Sequence, residues 1–556
     1  MKLFKKNRFS ILLFISFVLV DVVIYWNIWN TFFQQDEWSL FGRAIFQSTN
    51  LPYSLFNFSG AHFHPLGSLI WLVLYKLLGF NGAYFAALSI LMHSLTAVIS
   101  YYFFQIFTKN KKVSMLLSLL FLVSFPTKQV VVWFAASPYL IPCAALIMAF
   151  FILVSRINFE KDLSLKNLLI LIAIFVSAFL IREEAVVILI LFPLYLKLFK
   201  NYSFKLRLSD KITSFIVIGV LLVLSRFLFE SALGEKVVYE QGNVNVMRLY
   251  NFSLVPVKMF VQNIIELEQI WDISRIYSRV GFPRITDGVI VETAIYEHVV
   301  VFLLIPFLIL YSLIFFRMRL NEKRILLFSI VLIVSISFVV GFQSRRLYFL
   351  ESRYLYLTSI GVLLMLYCFF KTIWVEKIVN RSKVIYIVVG LSTLFIVYSF
   401  LNIQRIMNDV YLPYAKTRKD IIKQVLNYYP TIPNRVVFYV ECRDKEDCLS
   451  DGSVLPFQSG FGQMLIVIYG SKNERAYAPF LSDFYLWDPQ KEDYKVMGNY
   501  GFGYYHNLEN FEEFLKEGKV LPSEIIAFSY DRSENKVQDI STRIRKQLVG
   551  ELSTPN

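Results

Sequence analysis

The chain has 556 residues, is 56% hydrophobic and 17% aromatic, and carries a net charge of +15. Its mean hydropathy of +0.54 excludes an ordinary soluble globular protein and describes a polytopic membrane protein. Lys and Arg gather in short clusters between apolar runs, a pattern that phospholipid orientation explains better than nucleic-acid binding does.

The chain opens with Lys2, Lys5, Lys6 and Arg8 ahead of the apolar run Ser10 to Trp29, with no small-residue cleavage site, and this predicts an uncleaved first helix. Asp21 inside that run reads as a neutral or hydrogen-bonded structural carboxylate. Gln34-Gln35-Asp36-Glu37-Trp38 follows at the expected membrane–water boundary. Two readings hold for Asp36 and Glu37: solvated residues at a helix start, or an acidic pair serving a polar substrate. His62-Phe63-His64-Pro65-Leu66 precedes a run from Gly67 to Phe80 that is too short to cross comfortably, which predicts an interfacial or re-entrant helix. His62 and His64 stand two apart, not the three or four that suits a metal on a helix, and they read as polar lining.

With the first span at 10–29, further apolar runs at 82–107, 113–126, 130–154, 167–181, 184–200, 211–229, 297–316, 325–342, 354–374 and 384–402 predict about eleven transmembrane helices. The basic clusters around Lys109, Arg156, Lys200, Arg317 and Lys377 all fall on the side of the amino terminus, which the positive-inside rule makes cytoplasmic. The opposite, external side then receives the loops 30–81 and 230–296, the Arg182-Glu183-Glu184 turn, the Arg345-Arg346 turn and everything after about residue 403. Arg345, Arg346 and Arg353 stand where the rule disfavours them. Their guanidinium groups suit bidentate binding of phosphate, and equally suit pairing with lipid head groups or with the carboxylates already named.

Past Phe400 the composition becomes that of a soluble domain. Strand-like runs at Arg435 to Val440 and Glu524 to Ser529, and helix-like stretches near 418–428 and 509–517, predict a small external α/β domain over 403–556, beside a membrane domain over 1–402. Cys143 and Cys368 lie in spans, whereas Cys442 and Cys448 flank a charged turn and could pair in an oxidising compartment. No Walker, Rossmann or Cys-x-x-Cys zinc signature is present; the sequence names no cofactor and leaves room for a divalent cation.

Taken together, several motifs resemble the GT-C glycosyltransferase superfamily over roughly the membrane half of the chain, especially protein O-mannosyltransferase-like and related polyprenyl-phosphate-sugar transferases. They are Asp36-Glu37 after the first helix, His64-Pro65-Leu66-Gly67 opening a juxtamembrane helix, Pro126 through Trp133, Arg182-Glu183-Glu184-Ala185-Val186, and Ser352-Arg353-Tyr354-Leu355-Tyr356-Leu357 through Gly361. The resemblance implies an inverting transfer in which a carboxylate of the first-loop motif deprotonates an acceptor hydroxyl and basic residues hold the lipid-phosphate leaving group. On that reading Asp36 is the base with Glu37 its partner. Arg353, Arg345, Arg346 and Arg182 bind the donor phosphate, and His62, His64, Glu183, Glu184 and Tyr354 line the substrate. The partners implied are a polyprenyl-phosphate-linked sugar and an acceptor glycan, lipid or protein. The Pro-Pro-Leu-Gly-Lys form of protein mannosyltransferases is here His64-Pro65-Leu66-Gly67-Ser68, so the sugar and the acceptor stay open. The competing class is a transporter or flippase that moves a polar lipid without chemistry, and a third is a structural membrane subunit with an external binding domain.

Overall fold

A computed structural model describes residues 2–33, 36–51, 64–159, 164–202, 211–232, 246–266, 288–343, 352–376, 380–442, 457, 460–482, 485–488 and 490–552. The chain divides into two compact units. The first comprises Met1–Trp26, Phe58–His64 and Leu88–Arg405, and the second Asn27–Asn57, Pro65–Ala87 and Ile406–Asn556. Most of the range 30–81, read above as a loop of the membrane domain, therefore packs in one unit with the carboxy-terminal residues.

The first unit is helical. Across the chain, five described helices are long and apolar enough to cross a membrane: Gly82–Thr108, Ser137–Arg156, Leu320–Val340, Thr358–Val375 and the long helical stretch Ser382–Tyr428. A bent pair, Lys111–Leu122 with Phe125–Val132, makes a sixth if counted as one broken span. The expected number of about eleven is finer than these helices support. The helix Leu165–Ile181 shows why: 17 residues reach about 26 Å, short of a hydrocarbon core of about 30 Å. Between the expected crossings at 211–229 and 297–316 lies a helix, Val246–Gln262, in what was read as external loop, and its Lys258 is fully buried.

The 49° bend of the broken pair falls at Val123–Ser124, just before Pro126, which has no N–H to continue a helix and clashes with the preceding turn. Around the break the interior is polar and hydrogen-bonded. Ser94 donates to Asp21 Oδ2 at 2.6 Å, which fits the structural reading of that carboxylate. His93 lies 3.0 Å by Nε2 from the Leu122 carbonyl and 2.8 Å by Nδ1 from the Tyr356 hydroxyl. A carbonyl only accepts, so Nε2 carries the proton and Nδ1 accepts from Tyr356.

In the second unit a sheet is built from β1 (Arg435–Cys442), β2 (Asp493–Met497), β3 (Tyr500–Tyr505), β4 (Ile525–Asp531) and β5 (Lys536–Asp539) in the order β2-β3-β1-β4-β5. β1 runs parallel to both β3 and β4, while β2 and β5 are antiparallel edges. Gly498, with φ +62°, supplies the left-handed residue that the β2–β3 hairpin needs. Successive residues of a strand face opposite ways. Phe438 stacks on Tyr469 of the helix Gly460–Gly470, and Tyr439 stacks on Phe511 of the helix Leu508–Lys516, so helices cover both faces. The Gly460–Gly470 helix is apolar and wholly buried because it is core. A Cβ at Gly462 would come within 2.8 Å of the Tyr504 ring, so only glycine permits this approach.

Elsewhere in this unit Phe33, Trp38, Phe41, Trp71 and Phe85 form a buried aromatic cluster joining the helices Glu37–Thr49 and Pro65–Leu78. Glu474 fastens the same helices, accepting from Ser48 at 2.6 Å, Tyr75 at 2.9 Å and Lys76 at 2.5 Å. Burial alone would raise this carboxyl, but the three donors outweigh it and hold it below the usual range.

Candidate functional site

The short helix Lys128–Val132 begins just beyond Pro126, and its residues grip the turn Ser352–Leu355. Gln129 Oε1 accepts from the backbone N–H of Arg353 at 2.9 Å and from the Ser352 hydroxyl at 3.3 Å. Four residues on, Trp133 presents its ring to the Arg353 guanidinium at 4.4 Å, a cation–π contact. The same guanidinium lies 5.0 Å from the Tyr354 ring and donates to its hydroxyl at 3.3 Å.

Arg182 closes the helix Leu165–Ile181 in an extended conformation, and the turn Glu183–Val186 follows at once. Its Nε donates to both carboxylate oxygens of Glu184, at 2.9 and 2.8 Å. Arg182, Glu183 and Glu184 are all buried, and the pairing of Arg182 with Glu184 is what lets such charges leave water, where a lone one could not. Glu184, Arg353 and Tyr354 line one cavity with Leu140, Cys143 and Tyr356, and Arg182 is tied to it through Glu184. The cavity has about 20 Å³, room for a single water. An oxyanion therefore fits only if the Arg353 side chain or the Tyr354 ring moves.

Other predicted residues fall as follows. Asp36 is half-buried at the start of the helix Glu37–Thr49, where its carbonyl accepts the N–H of Leu40 at 2.9 Å. Glu37 is 1% exposed, which corrects the view of it as a solvated interfacial carboxylate. Its charge acts on Arg418, which is 5% exposed and stacks its guanidinium 5.6 Å from the Tyr414 ring. His64 packs against the Tyr139 ring at 4.8 Å. His62, Arg345, Arg346 and Cys448 lie outside the described residues, while Cys442 is disulfide-bonded and Cys143 and Cys368 are free. Among the described residues no group of three or more His, Cys, Asp or Glu side chains could hold a metal ion.

Sequence reasoning missed Arg418 and the buried ion pair between Lys128 and Glu266. Arg418 could have been found: it shares one face of its helix with Ala415, Ile421 and Val425, and a cation on an apolar stripe needs an acidic partner. Glu266 carries no such periodic signal. No known family model matches the chain, and no characterised protein matches it in sequence.

Proposed function

We propose that this protein is an integral membrane glycosyltransferase that moves a sugar from a polyprenyl-phosphate donor to an acceptor hydroxyl, with the Arg182–Arg353 cluster as the donor phosphate site. The supporting observation is that Arg353, Tyr354 and Glu184 line one cavity inside the helical unit, and that Arg182, 171 positions before Arg353 in the chain, donates to that Glu184. Buried cations in a membrane helix bundle cost several kcal/mol and mark ligand sites unless they serve packing alone.

In the proposed step the acceptor oxygen bonds to the anomeric carbon as the carbon–oxygen bond to phosphate breaks, and the lipid phosphate leaves with the bonding electrons. The fixed guanidinium charge stabilises that leaving group, and the acceptor proton passes to a carboxylate, which the sequence pattern assigns to Asp36. The reaction lies on the external face of the cytoplasmic membrane, where the basic clusters orient the chain.

Purified protein in lipid nanodiscs, incubated with radiolabelled polyprenyl-phosphate hexoses and a glycan, lipid or peptide acceptor mixture, should release the lipid phosphate by transfer or slow hydrolysis. Binding without any turnover of the donor would favour the flippase reading instead.

A further inference from the structure

The cavity that Arg353 shares with Glu184 has room for one water and not for a phosphate, so a wall has to yield before a donor can enter. Arg353 is not that wall. Gln129 Oε1 holds its backbone N–H at 2.9 Å, and its guanidinium lies over the Trp133 ring at 4.4 Å. Trp133 is a rigid support: its N–H donates to the Gln129 carbonyl at 2.9 Å, its carbonyl accepts from Ala136 at 3.0 Å and Ser137 at 3.2 Å, and the residue is only 4% exposed. Indole is the best aromatic face for a cation, and a guanidinium over a ring still has its planar fork of N–H donors to offer. Glu184 is equally fixed, since both its oxygens accept from Arg182, at 2.9 and 2.8 Å.

Tyr354 is the wall that can yield. Its hydroxyl accepts from Arg353 Nη2 at 3.3 Å, beyond the usual range of about 2.7–3.2 Å for such a bond, and its side chain is half-buried, so part of it already faces outward. A phosphate oxygen accepting from the same fork carries charge, and charge-assisted bonds are shorter and about twice as strong as neutral ones. Phosphate therefore outcompetes the hydroxyl for the fork. The ring that leaves with the hydroxyl gives up its share of the cavity.

We propose that Tyr354 is a displaceable cap on the donor site. Its hydroxyl stands in for a phosphate oxygen on the Arg353 fork, which Trp133 keeps in position, and the lipid phosphate of the donor takes its place. This rests on the reading of Arg353 as the phosphate ligand and goes beyond it, because Tyr354 then opposes donor binding.

The test compares full-length protein and its variants in nanodiscs by equilibrium binding of a radiolabelled polyprenyl-phosphate hexose. A second measurement, made without donor, is the rate at which phenylglyoxal modifies Arg353, read by mass spectrometry. Tyr354→Phe removes the competing hydroxyl and one hydrogen bond, so it should bind donor about two- to tenfold more tightly, with Arg353 modified about threefold faster or more. A hydroxyl that contacts the donor, or that serves folding alone, gives weaker or unchanged binding instead. Trp133→Leu should weaken donor binding about tenfold, and Trp133→Phe, which retains a ring face, by about threefold at most. Where the unmodified protein binds donor, no gain in Tyr354→Phe overturns the proposal, and so does full affinity in Trp133→Leu. Arg353 modified at the same rate in Tyr354→Phe overturns it whether or not donor binds. No donor binding by any of these proteins, with Arg353 still modified faster in Tyr354→Phe, defeats the transferase reading and leaves the hydroxyl as the cap on Arg353.

Discussion

Replacing Glu492 with Gln should loosen the β3 end of the carboxy-terminal sheet, and the size of the effect can be worked from its contacts. Burial alone would raise this carboxyl, but donors from His506, Asn510 and the backbone of His506 and Asn507 hold it down, from 4.5 to about 2. At about 1.4 kcal/mol for each tenfold change in proton affinity, that is roughly 3 kcal/mol. Solvent screening at this partly accessible site reduces it to about 1–2 kcal/mol. A carboxyl lowered on folding contributes its full stability above pH 4.5 and loses it as pH falls toward 2. Hydrogen exchange on the full-length protein reads this directly. At pH 7 the amides of residues 500–508 in Glu492→Gln should exchange about five- to thirtyfold faster than in the unmodified protein, and the difference should shrink as pH falls below 4.5. Equal protection at pH 7, or a difference that grows on acidification, would refute the reasoning.

The remaining predictions concern the charges nearer the proposed chemistry. Glu37→Gln should lower the melting temperature of the purified protein, since it leaves the buried Arg418 without a facing charge, at a cost of about 3 kcal/mol or more. Asp36→Asn should still bind the donor yet lose about 10²–10⁴-fold in transfer rate. An unchanged rate would remove Asp36 as the base. Arg182→Met strands the Glu184 carboxylate in the interior and should destabilise by about 3–5 kcal/mol in thermal unfolding, with much of the loss recovered in the double variant Arg182→Met with Glu184→Leu. If the double variant is less stable than the single, the pair is not the reason these residues are buried.

Much of the architecture was legible because apolar periodicity is written locally. The helix Pro65–Leu78 and the strands β1 and β4 stand where uninterrupted apolar runs predict them, as buried parallel strands do. β3 was missed because its glycines, Gly501 and Gly503, mimic a turn, and β2 because Asp493 and Lys495 give it no apolar face. The Gly460–Gly470 helix was missed because its burial depends on a sheet that forms around it. Of the candidate site, Arg182, Glu184, Arg353 and Tyr354 were readable as charges and aromatics on disfavoured ground. Their framework was not, since Gln129 and Trp133 acquire a role only when the break before Pro126 turns them toward Ser352–Leu355.

The central claim is that Arg353 binds the donor phosphate, and equilibrium binding of a radiolabelled polyprenyl-phosphate hexose to purified protein tests it most directly. Lysine keeps the charge but loses the planar fork that matches a phosphate, so Arg353→Lys should bind about tenfold or more weakly and Arg353→Ala more weakly still. Both variants should melt within a few degrees of the unmodified protein, because Arg353 is half-buried and held also through its backbone N–H by Gln129. Donor affinity unchanged in a folded Arg353→Ala protein would contradict the account.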